Sequence, residues 1–135
     1  MTTAEFLERF AQVAGSRMKL PTALIGAWDQ FVESCEAGYG DILDEFTFDR
    51  SVRDRIAVAL QDEGLREFEQ MRWVEEQIRA IDGRYRKLLL DQTVFEGRPW
   101  WKATFPRYAG PQMAAELLAT YGLTVAVREP PSAWP

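Results

Sequence analysis

Residues 65–88 read LREFEQMRWVEEQIRAIDGRYRKL. Leu65, Phe68, Met71, Val74, Ile78, Ile81, Tyr85 and Leu88 recur there at steps of three and four, the spacing that returns side chains to one face of an α-helix. The run predicts one long amphipathic helix as the spine of a mainly α fold. Gly83 lies inside it, where glycine costs roughly 1 kcal/mol of helix stability relative to alanine, and points to a bend or a close helix crossing. Trp73 falls one position off the stripe, so it either widens the buried face or stands at the surface, where a second partner could sit.

Upstream of the spine the same period returns. Thr2 or Thr3 can cap a first helix carrying Phe6, Phe10 and Val13, with Leu7 and Ala14 beside them, and Gly15 with Ser16 ends it. Pro21 and Thr22 start a second helix with the stripe Leu24, Ile25, Trp28, Phe31, Val32 and Cys35. In Gly38-Tyr39-Gly40, Gly38 is placed as a left-handed stop. Asp41 opens a third helix, with Ile42, Phe46, Val52, Ile56, Ala59 and Leu60 on its stripe as far as Gly64. Asp49 falls on that stripe too. The favoured reading is a continuous helix in which Asp49 pairs with Arg53 at i+4. The other is a break near Arg50, with Ser51 starting a new helix and Asp54 at its third position.

Downstream the period stops after Gln92. Phe95 to Gly110 interleaves Gly97, Pro99, Pro106 and Gly110 with Phe95, Trp100, Trp101, Phe105 and Tyr108. A loop of that length packs by its own side chains or binds something, so it reads either as an aromatic lid over the end of a bundle or as a binding segment. Pro111 begins a short helix through Met113, Leu117 and Tyr121, closed by Gly122. Leu123 to Arg128 alternates as a half-buried strand does and needs a partner: an extended piece such as Arg17 to Leu20, or its copy in a dimer. The fold class expected is a mainly α, antiparallel bundle of about four main helices, plus a short C-terminal helix and one short β-strand. Residues 1–128 form a single helical domain in this reading, and 129–135 an extended C-terminal tail.

Composition narrows the chemistry. With no histidine and only Cys35, the chain lacks imidazole bases, imidazole-dependent triads and the ligands for a structural zinc site. Cys35 lies on a helix stripe and reads as a small core residue. A hydrophobic content of 47% is enough to drive folding. No apolar run approaches the roughly 20 residues of a membrane span, and Glu5, Glu8 and Arg9 fall where a signal peptide would be uncharged. The expectation is a cytoplasmic protein that meets no membrane. The net charge of −5 is unevenly placed: residues 1–64 hold 6 basic and 12 acidic side chains, and residues 65–135 hold 10 and 9.

Two surfaces emerge as candidates. Asp41, Asp44 and Glu45, near Asp49 and Asp54, form an acidic cluster whose spacing does not match a calcium loop. As a solvated helical face it could meet an unidentified basic partner protein. Arg98, Trp100, Trp101, Lys102 and Arg107 could instead bind a small anionic ligand, since two or three convergent polar groups on apolar walls make a pocket. Nucleic acid is disfavoured by the acidic pI of about 4.8. No catalytic residue, metal site or cofactor is assigned.

The run Trp28 to Ile56, through Cys35-Glu36-Ala37-Gly38-Tyr39, Glu45-Phe46, Asp49 and Arg53, resembles a pattern in small helical bacterial proteins, as does Trp100-Trp101. That resemblance implies structural landmarks at Asp49, Arg53 and the tryptophan pair, and brings no activity with it. The function expected is a non-enzymatic protein-interaction domain, immunity- or adaptor-like, presenting an acidic helical face. The alternative is an anion-binding domain or enzyme with a pocket under the Trp100-Trp101 loop, and a homodimer is compatible with either.

Overall fold

The structure, a computed structural model, describes residues 2–15 and 20–129. It is mainly helical. Helix α1 (Thr3–Ala14) is capped by the Thr2 hydroxyl, which accepts the Glu5 N–H at 3.1 Å, and closes on Gly15 at φ 56°. Helix α2 (Pro21–Ala37) begins on its proline and ends at Gly38, whose φ is 96°. Trp28, Phe31, Val32 and Cys35 are buried along its inner face. There Trp28 stacks on Phe31 at 5.5 Å and meets the Tyr85 ring edge-on at 5.1 Å.

The third predicted helix is two. Helix α3 (Leu43–Arg50) and helix α4 (Val52–Gln61) are interrupted at Ser51. Tight i→i+3 bonds run from the Ser51 N–H to the Phe48 carbonyl and from the Asp54 N–H to the Ser51 carbonyl. An unbroken helix would have turned the Asp49 carboxylate into the core. With the interruption, Asp49 is exposed while Phe46, Arg50, Val52 and Arg53 are buried. The continuous-helix expectation is therefore corrected.

The spine is also divided. A single turn, α5 (Glu63–Arg66), precedes α6 (Gln70–Leu88), and i→i+3 bonds such as Phe68 N–H to the Leu65 carbonyl tighten the chain between them. The stripe nevertheless packs as read: Leu65, Met71, Val74, Ile78, Ile81, Tyr85 and Leu88 are all buried. Gly83 marks no close crossing, since nothing lies within 4 Å of where its Cβ would be. Trp73 stands half-exposed. Helix α2 packs on α6 and α4, and α1 packs on α4 and α5.

Beyond α6 the chain folds back over the helix end. The Leu90 N–H donates to the Phe105 carbonyl at 2.9 Å and the Arg107 N–H to the Leu88 carbonyl at 2.7 Å. Trp100–Lys102 makes one 3₁₀ turn, and Tyr108–Ala109 forms strand β1. Helix α7 (Pro111–Tyr121) follows and closes on Gly122 at φ 67°. Strand β2 (Ala126–Val127) lies parallel to β1, with Tyr108 opposite Ala126 and Ala109 opposite Val127. The expected lone strand thus has its partner within the aromatic segment. Of the Arg17 to Leu20 piece proposed as partner, only Leu20 belongs to the described residues. Of the expected 129–135 tail, only Glu129 does.

Two glycines let backbones cross closely. A Cβ on Gly38 would lie 2.0 Å from the Arg128 carbonyl oxygen, and one on Gly110 would lie 2.5 Å from that of Tyr39. The start of α7 and the end of β2 are thereby pressed onto the α2–α3 connection.

Candidate functional site

The basic residues of the aromatic loop each engage a different partner. Arg98 lies over the Phe95 ring at 4.0 Å, Lys102 pairs with Asp54 at 3.2 Å, and Arg107 reaches the Leu89 carbonyl and Asp91 at 2.8 and 2.9 Å. Trp101 is buried, and its Nε1 donates to Asp54 at 2.7 Å. Arg53 lies 4.3 Å from the Trp101 centroid, while Trp100 takes Tyr85 at 6.3 Å and Arg86 at 3.7 Å. Trp101, Lys102 and Arg107 are thus engaged by the fold itself, whereas the buried Thr104 hydroxyl has no partner among the described residues.

The Asp49–Arg53 pair is not formed. Asp49 accepts the Tyr39 hydroxyl at 2.6 Å, and Arg53 makes a two-pronged contact with Asp82, 3.0 Å at each prong. Asp82 also accepts the Trp28 indole N–H at 3.0 Å. The kink at Ser51 separates the two side chains: Arg53 faces the core, where Asp82 of α6 meets it, and Asp49 faces outward. Both remain structural residues with other partners. Cys35 is fully buried, and burial pushes its thiol up, away from a reactive thiolate.

Asp41, Asp44 and Glu45 are all exposed at the start of α3. The same stretch carries the least expected side chain on the surface, Phe48, which is 73% exposed. Beside it, α2 and the α3–α4 kink enclose an open groove of about 620 Å³, walled by Phe31, Tyr39, Phe48 and Val52, with Asp49 and Arg55 at its polar edge. Tyr39 is held there by its bond to Asp49 and by edge-on packing against Phe46 at 5.3 Å. Burial first, and the Asp49 carboxylate second, push its phenol up, so it stays a neutral donor.

Sequence reasoning missed this groove. Tyr39 enters the sequence reading only within the Gly38-Tyr39-Gly40 break and the resembled run from Trp28 to Ile56. Phe48 carried a usable signal, because it stands two residues after the stripe residue Phe46 and so must face away from the core. Among the described residues no cluster of carboxylates or thiols is arranged to hold a metal ion, and no helix is long and apolar enough to cross a membrane. Comparison of the chain with family models, with curated proteins and with solved structures gave no match in any of the three.

Proposed function

We propose that this chain is a non-enzymatic protein-interaction domain, adaptor- or immunity-like, that receives a basic segment of a partner protein at the Phe48 groove. The observation that carries this reading is Phe48 itself. A phenylalanine left 73% exposed forgoes most of the roughly 1.5–3 kcal/mol that burial yields. Binding hot spots have this form, an aromatic anchor ringed by polar groups. Asp49 and Arg55 line the groove itself, and the exposed residues next to Phe48 along the chain are acidic: Asp44 and Glu45 lie on the same helix, with Asp41 just before it. Such a surface attracts cationic partners and repels polyanions and anionic membranes. In this reading α1, α2, α4 and α6 form an antiparallel bundle, and the protein acts in the cytoplasm.

The reading is tested by selecting binders from a random peptide display library. Selected sequences should combine Lys or Arg with an aromatic or large aliphatic residue. Phe48→Ala should weaken the selected peptide by tenfold or more, and affinity should fall between about 0.1 and 1 M salt as the Debye length contracts from about 10 to 3 Å. Selection of acidic or uncharged peptides, or binding indifferent to Phe48→Ala, would sink the proposal. Self-association through the same face is the competing occupant, visible as a dimer mass that Phe48→Glu abolishes.

A further inference from the structure

The chain leaves strand β2 beside the Phe48 groove. The Arg128 N–H donates to the Ala109 carbonyl at 2.8 Å, and the Arg128 guanidinium donates to the Glu36 carbonyl at 2.8 Å in the last turn of α2. The Arg128 carbonyl is pressed onto Gly38, where an added Cβ would meet its oxygen at 2.0 Å. Tyr39, the next residue, is a wall of the groove. From this point the sequence runs Glu129-Pro130-Pro131-Ser132-Ala133-Trp134-Pro135. Neither Pro130 nor Pro131 has an N–H to add to the ladder, so strand pairing does not continue through them.

A path joins that exit to the groove. A second open recess is lined by Gln30, Glu33, Ser34, Ala37, Gly38 and Gly40, and it shares Gln30 and Ser34 with the Phe48 groove. Its α2 side is low: Ser34 turns its hydroxyl back onto the Gln30 carbonyl at 3.0 Å, while Ala37 and Gly38 carry a methyl group and a hydrogen. From Gly38 back to Gln30 along α2 is about 12 Å at 1.5 Å per residue. A proline-rich chain advances about 3.1 Å per residue, so the step from Arg128 to Trp134 covers about 19 Å. Trp134 therefore reaches the groove with length to spare.

The chemistry of the tail suits these walls. Phe31, Tyr39 and Phe48 make the groove aromatic, and proline-rich segments dock on aromatic-lined grooves because their extended form is set before binding. A tryptophan that buries its ring needs an acceptor for its indole N–H, and the Asp49 carboxylate stands at the groove's edge. Elsewhere in this fold the same pairing recurs, Trp28 with Asp82 at 3.0 Å and Trp101 with Asp54 at 2.7 Å. Past Glu129 the segment carries no charged side chain, so the acidic surroundings of Phe48 do not repel it.

We infer that residues 130–135 seat in the Phe48 groove of their own chain, with Trp134 against Phe48 and its indole N–H on Asp49. The tail is then a built-in competitor that covers the exposed anchor until a partner displaces it. The seating stands by itself, whereas the competition rests on the partner reading of the groove.

The test places a nitroxide on the tail of the full chain through Ser132→Cys; Cys35 is buried and does not compete for the label. Amide resonances of Ser34, Tyr39 and Phe48 should lose most of their intensity, and should regain it when Trp134→Ala is added to the labelled chain. The tail stays tethered beside Tyr39 in both, so only seating through Trp134 separates the two spectra. Broadening that Trp134→Ala leaves unchanged would overturn the inference, whatever peptide selection shows. Broadening of an unlabelled chain mixed with a labelled one would overturn it as well, because the tail would then sit on a second copy. Against a peptide selected at the groove, Trp134→Ala should tighten binding by about threefold to tenfold, as expected when a competitor fills about two thirds to nine tenths of the sites. An unchanged affinity would overturn the competition. A seated tail in a protein that selects no basic peptide would uphold the seating and sink the partner reading, which tells the two failures apart.

Discussion

A methyl group added at Gly38 meets two obstacles at once. Its φ of 96° lies where side chains are strained, and the new Cβ would fall 2.0 Å from the Arg128 carbonyl oxygen, a backbone atom that cannot rotate away. Gly38→Ala should therefore cost more than about 2 kcal/mol, among the larger single-residue effects. Gly110→Ala should be similarly harmful through the Tyr39 carbonyl, 2.5 Å from its Cβ, although Gly110 itself needs no positive φ. Gly83 supplies the opposite sign. It lies within α6 with open space around the missing Cβ, so Gly83→Ala should stabilise the protein by about 0.5–1 kcal/mol. Urea midpoints of the three variants decide the matter. Destabilisation by Gly83→Ala would mean that the glycine serves something other than the helix.

Between elements, the contact that ties three helices together is Asp82 of α6 with Arg53 of α4 and Trp28 of α2. Both charged side chains are largely buried, at 6% and 13% exposure. Asp82→Ala should cost about 3–5 kcal/mol, because it leaves the Arg53 charge uncompensated and the indole N–H unpaired. The double replacement Arg53→Met with Asp82→Leu should recover most of that loss. A double variant as unstable as the single one would show that shape rather than charge is at stake. The α4–α5 corner makes a pH-dependent prediction. Asp62 accepts the Leu65 N–H at the head of α5 and both prongs of Arg9, whose hydrogen bonds hold its carboxyl below the ordinary 3.8. A depressed carboxyl stabilises the fold above its unfolded value and loses that contribution as pH falls through the folded value. The stability gap between wild type and Asp62→Asn should thus be full at neutral pH and close below about pH 3.8.

The same pair of sites shows what local spacing can and cannot reveal. The stripes of α1, α2 and α6 were legible because burial follows a local period, and Trp28, Tyr85 and Phe10 lie where that period puts them. Local spacing pairs Arg53 with its i+4 neighbour Asp49, whereas the true partner is 29 residues away and is chosen by packing. The kink at Ser51, which decides between the two, is a single residue with helical φ and ψ; spacing offers it only as the second reading, the break near Arg50, and that is the one the structure has. The Phe48 groove was illegible for a related reason: a concave surface is made by two elements meeting, and periodicity describes only one.

At the scale of the molecule, the C-terminal third is fastened across the first half rather than appended to it. Arg128 donates to the Glu36 carbonyl at 2.8 Å at the end of α2, Gly110 donates to the Tyr39 carbonyl at 3.0 Å, and Glu116 of α7 accepts the Leu43 N–H at 2.9 Å at the head of α3. The Trp101 indole reaches Asp54 of α4, and Leu123 and Leu117 bury themselves in the same cluster as Trp28 and Phe10. If residues up to 128 behave as one domain, loosening the end should loosen the whole. Leu123→Ala removes a side chain that is 8% exposed and should cost about 2–5 kcal/mol. Near-ultraviolet circular dichroism, dominated by the buried tryptophans Trp28 and Trp101, should shift together with the far-ultraviolet helical signal along one urea transition. Were the aromatic signal to melt first, with the helical signal unmoved by Leu123→Ala, the aromatic segment, α7 and β2 would be a separate unit resting on an independent helical core.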